Sequence, residues 1–277
     1  MMAPVTHFMD EVVPAVWDRA LVYGDGLFET IACVNGEPLL FEYHLARLQT
    51  GLQRLGIATD VSAIQDRVKT ASRAAGDAVI RLVVGRAGGG RGYDPSVAQH
   101  SVVQLSVFSP PRYPHLNLHD GIALHVCHHR LPRNPALAGM KHLNRLDQVL
   151  AASEWDRSQA ADGLMLNDLG QVIEGTFTNV FLWQSGGLYT PDLSACGVAG
   201  VMRAFILDWA GKQGWPVHVM DLNLDAFLQA ESCFVCNSVF GIWPVRTIAG
   251  SVLTQKRAEI DQLMRVVCDM GYGQFYA

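Results

Sequence analysis

The chain has 277 residues, of which 49% are apolar and 17% charged, a composition typical of a well-filled globular protein of one large or two moderate domains. Its net charge of −5 includes no block of like charges, which argues against a nucleic-acid-binding or anionic-membrane surface and favours small-molecule chemistry. No apolar run approaches a membrane span, and the N-terminus lacks the basic flank and apolar core of a signal peptide. We therefore expect a cytoplasmic protein.

The first half of the chain is predicted to begin as a strand meander that leads into a helix. The runs LFETIACV and EPLLF flank Asn35-Gly36, a strong hairpin signal. The helix that follows carries leucines on one stripe and is predicted to stop at Gly56. Arg47 lies beside that stripe, where an exposed helix arginine is the ordinary interpretation.

A second helix, over Val61–Ala75, precedes two strands that flank the loop AGGGRGYDP. This loop contains neither GxGxxG nor GxxxxGK[ST], so it supports neither a dinucleotide site nor a P-loop. The three prolines of SPPRYPHLNLHDG predict a linker between two α+β domains. We place the domains at 1–109 and 121–277, with the linker at 110–120.

Cysteine and histidine clusters in the second half are not favoured as metal sites. Cys233 and Cys236 form a CxxC without a second pair, and ESCFVCNSVF is typical of a buried strand. In HVCHH, strand alternation separates His128 from the other possible ligands. We expect reduced core thiols and no metal centre.

Glu174 and the start of a later helix are the polar features of the second half. Glu174 interrupts an apolar strand region, where a carboxylate is either satisfied locally or pairs with a ring nitrogen. The helix VMRAFILDWAGKQG follows a glycine and has no acidic residue in its first turn. Such an N-terminus suits a phosphate group, although many bind only water. A final helix is predicted over 254–270.

Lys141 is the unusual lysine of the chain, because the other three lie among polar neighbours. In the stretch LAGMKHLNRLDQVL it follows Gly139 and Met140 and lies at the mouth of a predicted helix, whose buried apolar face is formed by Leu143, Leu146, Val149 and Leu150. A lysine there either snorkels to solvent, which is the commoner outcome, or is a desolvated amine that is nucleophilic toward aldehydes. A nucleophilic amine, a buried acid and phosphate donors together would suit pyridoxal 5'-phosphate, but these features alone do not select it.

The order of motifs along the chain resembles the fold-type IV pyridoxal-phosphate enzymes. The motifs that carry the resemblance are DRA with YGDGLFET, HLARL, GGRGY, RNPALAGMKHLNRLDQVL, the E-x4-N-V-F of Glu174 to Phe181, GVMR and CNSVFGIWPV. The resemblance implies an α+β fold with a smaller N-terminal α/β domain and a larger, β-barrel-like C-terminal domain. It also implies pyridoxal 5'-phosphate as cofactor and a homodimer.

Carried over to this sequence, the resemblance gives Lys141 as the lysine bonded covalently to the cofactor and Glu174 as the acid at its ring nitrogen. The residues implied to hold the phosphate are Arg47, the backbone amides of Val201 and Met202, and the Ser238 hydroxyl. A tyrosine that contacts the cofactor's phenolic oxygen in aminotransferase relatives is missing here, which leaves Asn144 or Arg145 as substitutes.

Within the family, GGRGY and KHLNRLDQVL resemble the lyases that release 4-aminobenzoate and pyruvate in folate synthesis. Lys141 would then move the substrate proton, and Thr30 could share that transfer. The residues expected to bind the two substrate carboxylates are Arg91, Tyr93, Arg112 and Asn144. The alternatives are a D-amino-acid or branched-chain aminotransferase on the same fold, or a cofactor-free binding module in which Lys141 merely snorkels.

Overall fold

A computed structural model describes residues 4–8, 19–88, 92–98, 100–253 and 258–276. The chain divides into two compact units, one formed by Met1–Pro111 with Met140–Asn144 and the other by Arg112–Gly139 with Arg145–Ala277. The segment around Lys141 thus belongs to the first unit, although it comes from the sequence range assigned to the C-terminal domain. The 110–120 linker stays a prediction. Among the described residues no helix combines the length and apolarity needed to cross a membrane.

The first unit contains one antiparallel sheet, three α-helices and one 3-10 helix within its described residues. Its elements are β1 (Pro4–Phe8), α1 (Arg19–Tyr23), β2 (Gly26–Val34), β3 (Glu37–Pro38), α2 (Phe41–Leu55), α3 (Val61–Ala75), β4 (Ala78–Ala87), the 3-10 helix Pro95–Val97 and β5 (His100–Phe108). The strand order is β1-β5-β4-β2-β3. Strand β1 and helix α1 were not predicted.

Local turn and cap signals account for the first unit's boundaries. Asn35 and Gly36 both adopt positive φ, as the predicted two-residue hairpin requires. Helix α2 ends at Gly56, which is left-handed, and buries its leucine stripe. Asp60 accepts hydrogen bonds from two N–H groups of the first turn of α3, so this helix begins and ends where it was predicted.

The second unit is built on a 10-stranded sheet in its described part, curled into a near-barrel. Its elements are α4 (Leu116–His119), β6 (Ile122–Leu131), α5 (Leu146–Ala152), β7 (Asp162–Asn167), β8 (Gln171–Gly175), β9 (Asn179–Gln184), β10 (Gly187–Pro191), α6 (Val201–Lys212), β11 (Val217–Met220), β12 (Leu222–Asn223), α7 (Leu224–Leu228), β13 (Ser232–Asn237), β14 (Gly241–Ile248), β15 (Ser251–Val252), α8 (Ala258–Asp269) and the 3-10 helix Tyr272–Phe275. The order is β11-β10-β9-β13-β14-β6-β7-β8-β12, with β15 on β14. The predicted α+β class with a barrel-like C-terminal half is confirmed.

The core of the near-barrel is apolar and aromatic. Phe181 of β9 stacks on Phe234 of β13 with ring centroids 4.9 Å apart. Cys233 and Cys236 lie fully buried on β13, as predicted, and desolvation raises the pKa of both thiols. The CxxC is therefore part of the core packing. Residues 254–257, where the last predicted helix begins, lie outside the described residues.

The helix predicted to follow Lys141, with Leu143 to Leu150 on its apolar face, is wrong before Leu146. Residues 140–145 are not helical, His142 forms an isolated bridge with Leu27, and α5 begins only at Leu146. The predicted buried face is also wrong, because Leu146, Val149 and Leu150 are 75%, 61% and 54% exposed. Their three-and-four spacing is real, but the face that they form points away from the unit's own core.

Candidate active site

Lys141 is held against β2 in the first unit by backbone hydrogen bonds. The Phe28 N–H donates to the Lys141 carbonyl (3.0 Å), and the Leu143 N–H donates to the Gly26 carbonyl (3.0 Å). A bridge between Leu27 and His142 completes this short antiparallel pairing. The strand pairing satisfies backbone groups that a helix would have satisfied internally, which explains why no helix forms at Lys141.

The Lys141 ammonium lies over the Phe28 ring, with Nζ 4.4 Å from the ring centroid. A cation in this position is stabilised by the aromatic face. Thr30 shares a strand face with Phe28, because residues two apart on a strand point the same way. The first unit therefore presents Lys141 and Thr30, the two residues predicted to act in proton transfer, along one face of β2.

Glu29 points to the opposite face of β2 and forms a buried ionic cluster with α2. Its carboxylate accepts from Arg47 Nε at 2.8 Å and from Arg47 Nη2, and it binds His44 Nδ1 at 2.6 Å. Glu29 and His44 are only 2% and 1% exposed. Sequence reasoning missed this cluster, although Glu29 interrupts an apolar strand just as Glu174 does.

The protonation states in this cluster follow from its contacts. Burial alone would raise the pKa of Glu29, but the charges of Arg47 and His44, together with the hydrogen bonds from both, outweigh it and lower that pKa to about 2. Burial lowers the pKa of His44, and the nearby charges of Arg47 and Lys141 lower it further, while Glu29 opposes them. An ionised carboxylate can only accept hydrogen bonds, so His44 donates its Nδ1–H to Glu29.

Arg47, the predicted phosphate ligand, is thus fixed in orientation by Glu29. Two of its nitrogens bond the carboxylate, which holds the guanidinium plane and neutralises its charge. A planar guanidinium held in this way presents its N–H donors in one set direction. Such an arginine loses little side-chain freedom when it binds an anion.

The GGRGY loop is described only in part, and Arg91 lies outside the described residues. The end of the loop, from Gly92 to Asp94, is hydrogen-bonded to Arg19. Arg19 is itself held by Asp25, to which its Nε donates at 2.9 Å. The Arg19 guanidinium donates to the carbonyls of Gly92, Tyr93 and Asp94 at 3.0, 3.1 and 3.4 Å. The Tyr93 ring packs on Tyr23, but Tyr93 is 82% exposed. The ring is therefore accessible to a substrate, and its role in substrate binding stays a prediction.

The other residues predicted to bind substrate donate hydrogen bonds to backbone carbonyls that are distant in the sequence. Asn144 donates from Nδ2 to the Gly24 carbonyl at 3.1 Å in the first unit. In the second unit, Arg112 donates from Nη1 to the Gln274 carbonyl at 2.9 Å and so helps to hold the C-terminal 3-10 helix. Both residues are exposed, and their roles toward substrate stay predictions.

Glu174 is a buried carboxylate on β8 of the second unit, only 3% exposed. Its Oε2 accepts from the Val198 N–H at 2.8 Å, and its Oε1 faces Gln148 Nε2 of α5 at 3.4 Å. Burial lowers the pKa of Arg145, at the start of α5, and the negative charge of Glu174 opposes this lowering. Gln148 was not predicted, because an amide in an amphipathic sequence carries no signal of its own.

The turn after Glu174 is built around a buried acid. Asp162 accepts hydrogen bonds from the Thr176 hydroxyl (2.6 Å), the Thr176 N–H (3.1 Å) and the Thr178 hydroxyl (2.7 Å). Burial raises the pKa of Asp162. These bonds fix the path from Glu174 to Asn179, where β9 begins.

Helix α6 starts at Gly200 with no side-chain cap and no acidic residue in its first turn. Helix geometry leaves the N–H groups of residues 201–203 without intrahelical acceptors, so the amides of Val201 and Met202 can serve an anion. A Cβ on Gly200 would lie 1.9 Å from Asn179 Oδ1, so only glycine fits there. Ser238, the other predicted phosphate contact of this unit, lies in the turn between β13 and β14, and its carbonyl faces the Tyr272 hydroxyl at 3.5 Å.

Comparisons with known proteins identify the family and members of it that are similar to this chain. The sequence pattern of amino-transferase class IV matches residues 26–248. An aminodeoxychorismate lyase from Vibrio harveyi is 38% identical over 247 residues, which cover 89% of each chain. The crystal structure of a 4-amino-4-deoxychorismate lyase from Pseudomonas aeruginosa is 42% identical with a TM-score of 0.88, covering 94% of this chain and 96% of that one.

A more distant solved structure extends the likeness in fold. The T.th. branched-chain amino acid aminotransferase, solved with pyridoxamine 5'-phosphate, is 21% identical with a TM-score of 0.84 and covers 97% of this chain and 94% of its own. The family pattern covers most of the chain and includes both Lys141 and Glu174. The chain belongs to the class IV aminotransferase family.

Proposed function

We propose that the chain is a pyridoxal 5'-phosphate-dependent carbon–oxygen lyase that converts 4-amino-4-deoxychorismate to 4-aminobenzoate and pyruvate in folate synthesis, in the cytoplasm. The observation that carries the proposal is the 42% identity to the Pseudomonas aeruginosa lyase over 94% of this chain. The Vibrio harveyi lyase supports it independently of structure.

The side chains of each unit fit one part of this cofactor. In the first unit, Lys141 supplies an amine for the aldehyde, and Arg47 supplies an oriented guanidinium for the phosphate. In the second unit, Glu174 offers a buried carboxylate for the ring nitrogen, and the uncapped start of α6, with its obligatory Gly200, offers N–H groups for the phosphate. When bound, pyridoxal 5'-phosphate supplies an electron-accepting ring that stabilises negative charge on the carbon bearing the substrate amine.

In this proposal Lys141 acts first as the general base and then as the general acid. Its free amine removes the proton from the amine-bearing carbon, and the C–O bond to the enolpyruvyl group then breaks as the six-membered ring becomes aromatic. Lys141 returns the proton to the departing enolpyruvate, which leaves as pyruvate. Thr30, on the same strand face as Phe28, shares this transfer.

The remaining residues bind and orient. Glu174 holds a proton at the ring nitrogen, while Arg47, Ser238 and the amides of Val201 and Met202 bind the phosphate. The residues assigned to the two substrate carboxylates are Arg91, Tyr93, Arg112 and Asn144. Arginine suits this role because its planar fork binds a carboxylate in one orientation.

A product assay tests the reaction. The purified protein, incubated with 4-amino-4-deoxychorismate and no added keto acid, should release fluorescent 4-aminobenzoate and an equal amount of pyruvate. A requirement for an amino-acid and keto-acid pair would instead identify an aminotransferase and refute the lyase proposal.

A spectroscopic assay tests the cofactor. The protein should absorb in the visible region, and borohydride should fix the cofactor to Lys141. The variant Lys141→Ala should lose the band, whereas Lys212→Ala, at an exposed position near the end of α6, should keep it. A colourless wild-type protein that cannot be loaded with pyridoxal 5'-phosphate would refute the proposal.

We also propose that the chain forms a homodimer. The apolar face of α5, formed by Leu146, Val149 and Leu150, is an exposed surface of the kind that protein contacts cover. Light scattering should give twice the chain mass. Leu150→Glu should shift the protein toward monomer, and Val252→Glu, at an equally apolar exposed site on β15, should not.

A further inference from the structure

Residues 197–200 of the second unit connect Glu174 with the start of α6. The Val198 N–H donates to Glu174 Oε2 at 2.8 Å, and the Val198 carbonyl accepts from Asn179 Nδ2 at 2.9 Å. Two residues later, Gly200 is the N-cap of α6. A single peptide segment therefore orients the carboxylate at one end and the first helical amides at the other.

The same segment is paired with the residues that precede Lys141 in the sequence. The Gly139 N–H donates to the Gly197 carbonyl at 2.9 Å, and the Ala199 N–H donates to the Gly139 carbonyl at 3.0 Å. These bonds form an isolated parallel bridge between Gly139 and Val198. Backbone hydrogen bonds thus hold the segment against Gly139.

Asn179 also holds this segment, through its side chain. It is the first residue of β9, is 6% exposed, and its backbone pairs with Cys236 in the centre of the sheet. Its amide nitrogen bonds Val198, and its amide oxygen occupies the space that a side chain at Gly200 would need. One rigidly mounted amide thus contacts both the residue that bonds Glu174 and the residue that caps α6.

We propose that Asn179 is a positioning residue that sets, through Val198 and Gly200, both the direction of the Glu174 carboxylate and the place of the first N–H groups of α6. The inference rests on the proposed cofactor site and adds a residue to it. Loss of the Asn179 amide should loosen the pyridine end and the phosphate end of the site together, because the same segment supports both.

The chain offers a matched control in Asn167. This asparagine is 1% exposed and equally well bonded, since its Oδ1 accepts from the N–H groups of Leu169 and Gln171 and its Nδ2 donates to Gln171 Oε1. Its bonds serve only the β7–β8 turn. Asn167→Ala should therefore cost a similar amount of stability through the loss of buried hydrogen bonds without moving residues 197–200.

The experiment compares Asn179→Ala, Asn179→Ser, Asn167→Ala and Glu174→Gln by three measurements. These are thermal stability, the dissociation constant for pyridoxal 5'-phosphate from visible absorbance, and binding of inorganic phosphate to the apoprotein by thermal shift. Both Asn179 variants should weaken cofactor and inorganic phosphate about tenfold or more, which corresponds to about 1.4 kcal/mol. Glu174→Gln should weaken the cofactor alone, and Asn167→Ala should change neither ligand more than about twofold.

The inference is overturned if both Asn179 variants bind the two ligands like wild type, or if Asn167→Ala weakens them equally. The serine variant keeps the test valid if the alanine variant does not fold. A wild-type protein that takes up no pyridoxal 5'-phosphate would refute the proposed function itself. Normal loading of the wild type with no difference between the Asn179 and Asn167 variants would refute only the role of Asn179.

Discussion

Replacing Glu29 by glutamine should destabilise the first unit strongly and in a pH-dependent way. The cluster lowers the pKa of Glu29 from an ordinary 4.5 to about 2, a difference that corresponds to roughly 3 kcal/mol of folding free energy at neutral pH. The substitution also leaves Arg47 largely buried without its counter-charge, and broken buried ion pairs cost about 3 to 5 kcal/mol. We therefore expect Glu29→Gln to lower the free energy of unfolding by about 3 kcal/mol or more.

The sign of the pH effect follows from the lowered pKa. The wild-type carboxylate stabilises the fold fully above pH 4.5, and this contribution is lost as the pH falls toward about 2, whereas the glutamine variant has no such contribution to lose. The gap in unfolding free energy between wild type and Glu29→Gln should therefore narrow by about 1 kcal/mol between about pH 5.5 and pH 3.5.

Urea unfolding followed by circular dichroism measures this gap, and hydrogen exchange over residues 26–55 assigns it to β2 and α2. Glu42→Gln, the same chemical change at an exposed position in the first turn of α2, should cost less than about 1 kcal/mol. A gap for Glu29→Gln that is independent of pH, or no larger than that of Glu42→Gln, would refute the reasoning.

Gly200→Ala should destabilise the protein by about 1 to 3 kcal/mol because its Cβ would meet Asn179 Oδ1 at 1.9 Å, and combining it with Asn179→Ala should cost less than the sum of the two changes in thermal unfolding. Arg19→Lys should lose most of the bonds to the loop at Tyr93, and mass spectrometry should detect chymotryptic cleavage after Tyr93 several-fold faster than in wild type. The Cys127 thiol, whose pKa burial raises to about 12, should react with Ellman's reagent only after unfolding, so rapid labelling of folded protein at this position would contradict its buried placement.

Local chemistry allowed much of the first unit to be predicted from sequence. Asn35-Gly36 specifies a turn that few other dipeptides can adopt, and Gly56 stops α2 for the same conformational reason. Helix α3 was placed correctly at both ends. In each case the decisive interaction lies within a few residues of the signal.

The segment at Lys141 could not be predicted in this way, because its partners lie far away in the sequence. Residues 140–144 pair with β2, more than a hundred positions earlier, and this pairing overrides the helical spacing of Leu143 and Leu146. The same spacing predicted a buried face on α5 that is in fact exposed. Periodicity shows that a face is apolar but not what covers it.

The candidate site shows a similar division. Family motifs named Lys141, Glu174 and Arg47, whereas the partners that orient them came only from the structure. Gln148 is an amide in an amphipathic sequence and gave no signal. Asn179 belongs to the E-x4-N-V-F motif, which marked its position but not its contacts with Val198 and Gly200. Glu29 was different, since a carboxylate within LFETIACV carried the signal that drew attention to Glu174 and could have been read in the same way.

The alternation of side chains along β2 places two groups of residues on opposite faces of one strand. Phe28 and Thr30 face the Lys141 side, while Glu29 between them supports Arg47 on the other side. Thr30, which we propose takes part in proton transfer, can therefore be substituted without removing any of the hydrogen bonds to Glu29 in the ion cluster behind it. One strand thus carries the residues proposed for chemistry on one face and the carboxylate that orients Arg47 on the other, so that either set can be substituted without replacing the other.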